Sequence, residues 1–133
     1  MGSDRRTYMS RILIIEDDEA IREMLVRRLV LRGFTVETAA DGETALAMIH
    51  ASPPDAVLLD HGLPGISGWE VARALRAEPA FAALPIIALT AHASPPSRRD
   101  ALDAGCTAFM TKPVDMNALE KVLRSLLAPR SER

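Results

Sequence analysis

Residues 12–19 read Ile-Leu-Ile-Ile-Glu-Asp-Asp-Glu. Four apolar residues run without a break into four carboxylates. A strand with one wet face alternates apolar and polar residues. A strand buried on both faces is continuously apolar and belongs to a parallel sheet covered by helices. The acidic knot therefore stands at the end of a buried strand. Asp18 and Glu19 fit a helix N-terminus, where the macrodipole favours negative charge. That reason does not extend to Glu16 and Asp17, which are attached to the strand itself.

Outward from this stretch the chain repeats one pattern. Arg11–Ile15 is the first strand, and Ile21, Met24, Leu25 and Leu29 then recur at helical spacing until Gly33 stops them. Residues 34–38 alternate like a strand with one wet face. After the Asp41-Gly42 turn, Ala45, Leu46, Met48 and Ile49 mark a second helix, which Pro53-Pro54 ends. Residues 56–59 form another apolar run, again closed by a carboxylate, Asp60. A Gly/Pro-rich loop precedes a third helix bearing Trp69, Val71, Ala72 and Leu75. Residues 85–90 make a fourth strand whose proline can sit only at its start. Ser94-Pro95 suggests an N-cap followed by proline in the first turn, Gly105 closes the fourth helix, and residues 107–111 make a short fifth strand. Asp115 can cap a last helix carrying Met116, Leu119, Val122, Leu123 and Leu126. Five βα units predict an α/β fold with a doubly wound parallel sheet and helices on two faces.

Composition agrees. The 133 residues are 48% hydrophobic but only 4% aromatic, so the core must be aliphatic. Sixteen basic and 18 acidic side chains leave a net charge of −2, which gives no general attraction to nucleic acid or an anionic membrane. Cys106 is the single cysteine, so no intrachain disulfide forms and a reducing compartment is expected. With no apolar run long enough to span a bilayer and no signal-peptide core, the expectation is a soluble cytoplasmic protein. Residues 1–10 are read as a polar extension with a second methionine at Met9, residues 11–128 as one domain, and residues 129–133 as a polar tail.

Ligands of such sheets bind beyond the carboxyl ends of the strands, near the switch in strand order. The residues there are Glu16, Asp17, Asp60, Thr90 and Lys112. Three carboxylates meeting in one crevice repel one another, and a divalent cation relieves this. Mg²⁺ fits carboxylate, backbone and water oxygens, whereas no His/Cys spacing points to zinc. With the metal present, one carboxylate can act as nucleophile toward phosphorus. Lys112 supplies a further cation and Thr90 a hydroxyl donor for the phosphoryl oxygens.

ILIIEDDE, the VLLDHGLPGISG segment around Asp60, PIIALTAHA around Thr90 and AFMTKP around Lys112 together resemble the receiver domain of two-component response regulators over about residues 11–127. The resemblance implies a flavodoxin-like sheet in the order 2-1-3-4-5. By position it makes Asp60 the phosphoacceptor, Asp17 the direct Mg²⁺ ligand, Glu16 a ligand through water, and Gly62 the donor of a backbone carbonyl to the metal. Thr90 and Lys112 would contact the phosphoryl group, and small Ala91 would leave access open. It also implies a cis peptide at Lys112-Pro113. Its switch pairs Thr90 with an aromatic on the fifth strand, here Phe109, which lacks a tyrosine hydroxyl.

The implied function is a phosphoprotein that takes its phosphoryl group from a histidine kinase or a histidine phosphotransfer protein. It would signal through the surface of helix four, strand five and helix five. It would be a phosphoacceptor rather than an enzyme, a monomer or a weak phosphorylation-dependent dimer, acting by docking or relay as chemotaxis and cell-cycle receivers do.

Other readings stand beside it. Asp60 could be a turn residue, Lys112 a solvated lysine, Phe109 plain edge packing and Cys106 a small core residue. His61 and His92 flank the expected site, and the three histidines form no ligand pattern. An Asp-nucleophile phosphohydrolase would want a second aspartate two residues past the nucleophile, where Gly62 stands. A flavin or nucleotide carrier would want phosphate donors after the first strand, where the chain offers anions. A receiver-like module that is never phosphorylated would not need all five positions filled.

Overall fold

The structure, a computed structural model, describes residues 10–91 and 95–128, the side chains of 95 and 96 excepted. The expected cap at Ser94, His92 and both chain ends lie outside the described residues. Strands β1 (Arg11–Ile15), β2 (Thr35–Ala39), β3 (Ala56–Asp60), β4 (Ile86–Thr90) and β5 (Ala108–Thr111) alternate with helices α1 (Glu19–Leu31), α2 (Gly42–Ala51), α3 (Gly68–Arg76), α4 (Pro95–Asp103) and α5 (Met116–Leu127). All strand pairs are parallel, in the order β2-β1-β3-β4-β5. The fold is the doubly wound one that the pattern predicts, with the flavodoxin-like strand order that the resemblance implied. Phe34, Pro85 and Thr107 fall just outside their strands. Short 3₁₀ turn Pro79–Phe81, which no periodicity announces, links α3 to β4.

The continuous apolar strands feed two cores at once. Leu13, Ile15, Val57, Leu59, Ile86 and Ala88 face α2, α3 and α4. Their neighbours Ile12, Ile14, Leu58, Ile87 and Leu89 face α1 and α5. This is the period-two geometry of a strand sandwiched between helices. Cys106 is a buried core residue, and burial pushes its thiol up to about 11.

Helix boundaries follow side-chain chemistry. Asp18, Asp41, Ser67 and Asp115 each accept a backbone N–H in the first turn of the helix they cap. Ser67 and Glu70 complete a reciprocal capping box. At the end of α1, Gly33 adopts φ +98°. Phe34 N–H donates to the Leu29 carbonyl and Gly33 N–H to that of Val30, and the buried Phe34 packs into the same core as Leu29. That is the glycine-dependent helix stop the sequence suggests.

His50 ties the end of α2 to the turn after α3. Its Nδ1 lies 2.7 Å from the Leu46 carbonyl and its Nε2 2.7 Å from Glu78 Oε2. Both acceptors want an N–H, so the pairing favours the doubly protonated ring and raises the pKa, through the Leu46 carbonyl first and Glu78 second. The folded value exceeds the unfolded one, so this stabilisation is present in full at low pH. It is lost as pH rises through the folded value. Glu78→Gln is expected to lower the His50 titration midpoint, read by NMR of the imidazole protons.

Candidate functional site

The switch in strand order lies between β1 and β3, which run parallel in the register Ile15–Leu59. One residue further along, Glu16 and Asp60 continue the side of the sheet that carries Ile12, Ile14 and Leu58, on strands ~5 Å apart. Register thus brings together two carboxylates that are 44 positions apart in sequence. Asp17 joins them from the β1–α1 turn. One carboxylate oxygen from each of Glu16, Asp17 and Asp60 lies within 4.8 Å of the others. Glu16 and Asp60 are buried, at 1% and 6% exposure, while Asp17 is exposed.

On the other side, β5 pairs with β4 in the register Thr90–Thr111, so Lys112 emerges beside Thr90. Its backbone N–H donates to the Thr90 carbonyl at 2.8 Å. Its Nζ reaches across the sheet end to Glu16 Oε1 at 3.0 Å and Asp60 Oδ1 at 2.8 Å. Far from being a solvated surface lysine, Lys112 is the cation of the cluster. The Lys112-Pro113 peptide is cis, as the resemblance implied. Thr90 is buried at the same rim.

These groups line one open cleft of about 440 Å³, together with Asp18, Ile21, His61, Gly62 and Ala91. Every residue the sequence proposed for metal or phosphoryl contact is therefore at one place. Gly62 is wide open, since an added Cβ there would meet nothing within 4 Å. Asp60 is a buried strand end rather than a turn residue. His61 lines the cleft and stacks on Trp69, ring centroids 4.3 Å apart and planes 17° apart. Trp69, buried in the first turn of α3, is thereby covered by the His61 ring. His50 is elsewhere, on Leu46 and Glu78. Phe109 stands outside the cleft, partly buried on the core, with the Arg98 guanidinium 5.2 Å from its ring centroid.

The electrostatics follow from burial. Desolvation raises the Glu16 pKa, aided by the charge of Asp60 and opposed by the hydrogen bonds from Lys112 and the Asp18 N–H. For Lys112, burial alone would lower the pKa, but hydrogen bonds to Asp60 and Glu16 outweigh it and raise the value. Three clustered carboxylates against one lysine leave this end of the cleft with an excess of negative charge. The donors are all hard oxygens, which suits Mg²⁺. Among the described residues no protein group bonds the Asp17 carboxylate or Asp60 Oδ2, so both are available to a ligand.

The loop after Asp60 is pressed tightly against α3. Gly68 N–H donates to the His61 carbonyl at 3.1 Å, and a Cβ at Gly68 would come within 2.5 Å of the Asp60 carbonyl oxygen. That neighbour is backbone and cannot swing aside. Gly68→Ala is expected to destabilise the fold by about 1–3 kcal/mol, although alanine is intrinsically the better helix former by ~1 kcal/mol. Urea titration checks this: the midpoint should fall with an unchanged slope.

One contributor escaped the sequence reading. The Arg22 side chain curls back and donates from Nη1 to the Glu16 carbonyl at 2.9 Å. The signal was present, because a cation in the first turn of a helix opposes the macrodipole and needs a compensating contact.

Comparison with known proteins agrees with this geometry. The family described as the response regulator receiver domain matches residues 12–124. Response regulator MprA of Mycobacterium ulcerans is 44% identical over 117 residues, covering 88% of this chain and 50% of that protein. MprA of Mycolicibacterium vanbaalenii matches to the same extent. The chain spans about half the length of the curated relatives it matches. Among solved structures, a response regulator of Chloroflexus aurantiacus superposes with a TM-score of 0.86 at 34% identity, covering 90% of this chain and 98% of that one. Chemotaxis protein CheY4 of Vibrio cholerae gives 0.84 at 33%, covering 90% and 99%. The receiver domain of a Pseudomonas aeruginosa sensor histidine kinase gives 0.83 at 31%, covering 90% and 98%, and holds a magnesium ion in its active-site cleft. Sheet order, the acidic cleft and the match over nearly the whole described chain lead to one conclusion: this protein belongs to the response regulator receiver domain family of two-component signalling.

Proposed function

We propose that residues 11–128 form a phosphorylation-controlled receiver in which Asp60 takes a phosphoryl group from a phosphohistidine. The donor is a histidine kinase or a histidine phosphotransfer protein. The observation that carries this reading is Lys112, whose ammonium bridges Glu16 and Asp60 across the cleft that Asp17 also enters. A lysine and three carboxylates are the charges that transfer of a phosphoryl group to a carboxylate requires.

Glu16, Asp17, Asp60 and the Gly62 carbonyl would hold Mg²⁺. Bound there, the ion supplies charge neutralisation between the acidic cluster and the phosphoryl oxygens. Asp60 Oδ2 attacks phosphorus; the P–N bond of the donor breaks as the P–O bond forms, and the departing imidazole takes up a proton. Lys112 Nζ exchanges its contact with Asp60 for one with a phosphoryl oxygen. The Thr90 hydroxyl donates to another. Open Gly62 and small Ala91 leave a path for the donor.

Thr90 ends the strand next to β5, so its reorientation is felt by Phe109 and by the face of α4, β5 and α5. The partner that reads this face is a protein. A net charge of −2 gives no reason to invoke nucleic acid or membrane, and among the described residues no helix is long and apolar enough to cross a membrane. The role is that of a phosphoacceptor in the cytoplasm, a monomer or a dimer formed weakly on phosphorylation.

The test is to incubate the protein with Mg²⁺ and acetyl phosphate and measure its intact mass. One phosphoryl adduct, labile to hydroxylamine as an acyl phosphate is, is expected, and it should vanish when the metal is chelated. No adduct at saturating donor and Mg²⁺ overturns the proposal.

A further inference from the structure

We propose that Arg22 is a positioning residue for the metal site, acting on Asp17 and Glu16 through their backbone. The inference rests on the receiver reading and adds to it a residue outside the cleft-facing set.

Asp17 is the exposed member of the cluster, and among the described residues no protein group bonds its carboxylate. Its aim therefore depends on how the turn Glu16-Asp17-Asp18 is held. Besides the first helical bond, from the Arg22 N–H to the Asp18 carbonyl, four contacts among the described residues support that turn. Glu16 N–H donates to the Ala39 carbonyl at 3.0 Å. Glu16 Oε2 accepts the Asp18 N–H at 3.1 Å. Asp18 Oδ1 accepts the Ile21 N–H at 3.0 Å. The fourth is Arg22 Nη1, which donates to the Glu16 carbonyl at 2.9 Å and lies 3.5 Å from that of Asp17. Among the described residues only Arg22 reaches the carbonyl side of both Glu16 and Asp17. Side chains on a helix lean toward its N-terminus, so a long residue in the first turn of α1 is the one able to do this. A single nitrogen, Nη1, makes both contacts, the short one to Glu16 and the long one to Asp17.

Sign separates this role from a plain charge effect. A positive group beside a cation site repels the cation, so if Arg22 acted only through its charge, removing it would tighten Mg²⁺ binding. If Arg22 braces the turn, removing it loosens the ligands and weakens binding. Losing a group that orients metal ligands commonly costs ~10–100-fold in affinity.

The test is calorimetric titration of Mg²⁺ into the full chain, comparing wild type with Arg22→Met, which keeps the side-chain bulk, and Arg22→Lys, which keeps the charge. Arg22→Met is expected to bind Mg²⁺ about tenfold more weakly. Arg22→Lys keeps a donor and the charge on a shorter side chain, so it should retain more of the wild-type affinity than Arg22→Met. Metal-free melting temperatures should stay within a few degrees of wild type, showing that the loss is local. Equal or tighter binding by Arg22→Met overturns the proposal, as does a weakening matched by general unfolding of the metal-free protein. A wild type that binds no Mg²⁺ would instead overturn the receiver reading on which the inference stands.

Discussion

Asp60→Asn is expected to take up no phosphoryl group from acetyl phosphate under conditions that label the wild type fully. Asparagine fills the same volume and keeps an oxygen at the strand end, so the fold should survive. What it lacks is the anionic oxygen that attacks phosphorus. Lys112 loses one partner but keeps Glu16 at 3.0 Å, and the lysine should remain in the cleft. Mg²⁺ affinity should fall as well, because one of three clustered carboxylates is gone. Asp17→Asn separates the two effects. It keeps the nucleophile but removes the exposed, unbonded carboxylate, so phosphoryl uptake should return when Mg²⁺ is raised. Intact mass spectrometry across a Mg²⁺ series reads both variants. Labelling of Asp60→Asn would move the phosphoacceptor to another residue.

Leu58→Ala is the expected extreme for stability. Leu58 is completely buried on the central strand, paired in register between Ile14 on β1 and Ile87 on β4. Its side chain fills the layer where Leu25 and Leu29 of α1 meet Leu119 and Leu123 of α5. A cavity between a sheet and two helices cannot collapse without moving one of them, so the loss should be about 2–5 kcal/mol. Against a total stability of roughly 5–15 kcal/mol for a single domain, that is a large fraction. The melting temperature should drop by on the order of 10 °C. Leu31→Ala is the control. It removes the same atoms from a residue 79% exposed at the end of α1, where surface changes stay within about 0.5 kcal/mol. Equal losses for the two variants would mean that the two-core architecture is misassigned.

The parts of this protein that could be read from its letters are those set by near neighbours along the chain. Ile12 to Ile15 and Val57 to Leu59 are apolar without interruption because both faces of their strands are covered, and that pattern needs no knowledge of what covers them. Asp18 and Asp115 cap helices through contacts two to three residues away, and Gly33 stops α1 through its own backbone freedom. Strand termini end in Glu16, Asp60, Thr90 and Lys112, and a parallel sheet gathers its strand ends on one edge. The site therefore followed from the order of elements.

Other features have no local signature. Arg76 donates to the Gly105 and Phe81 carbonyls and to Thr107 Oγ1, joining α3 to the turn before β4 and to the entry of β5. Arg32 and Arg124 share Glu120 between α1 and α5. A long flexible side chain can point many ways, and helical spacing says only which face it leaves from.

The chain's own pattern was enough to specify the class of fold and the short set of residues at its functional edge, because periodicity, caps and strand ends are short-range properties, while the strand order came from the family resemblance. The three-dimensional arrangement alone settled that Lys112 bonds Glu16 and Asp60 together rather than pointing to solvent, that Arg22 turns back onto the acidic turn, and that His61 lies flat on Trp69. The Lys112 contacts join residues brought close by sheet register, and the other two depend on how a loop folds back against the helix that follows it. Which head group a side chain finally meets is decided by distances that exist only once the sheet has formed.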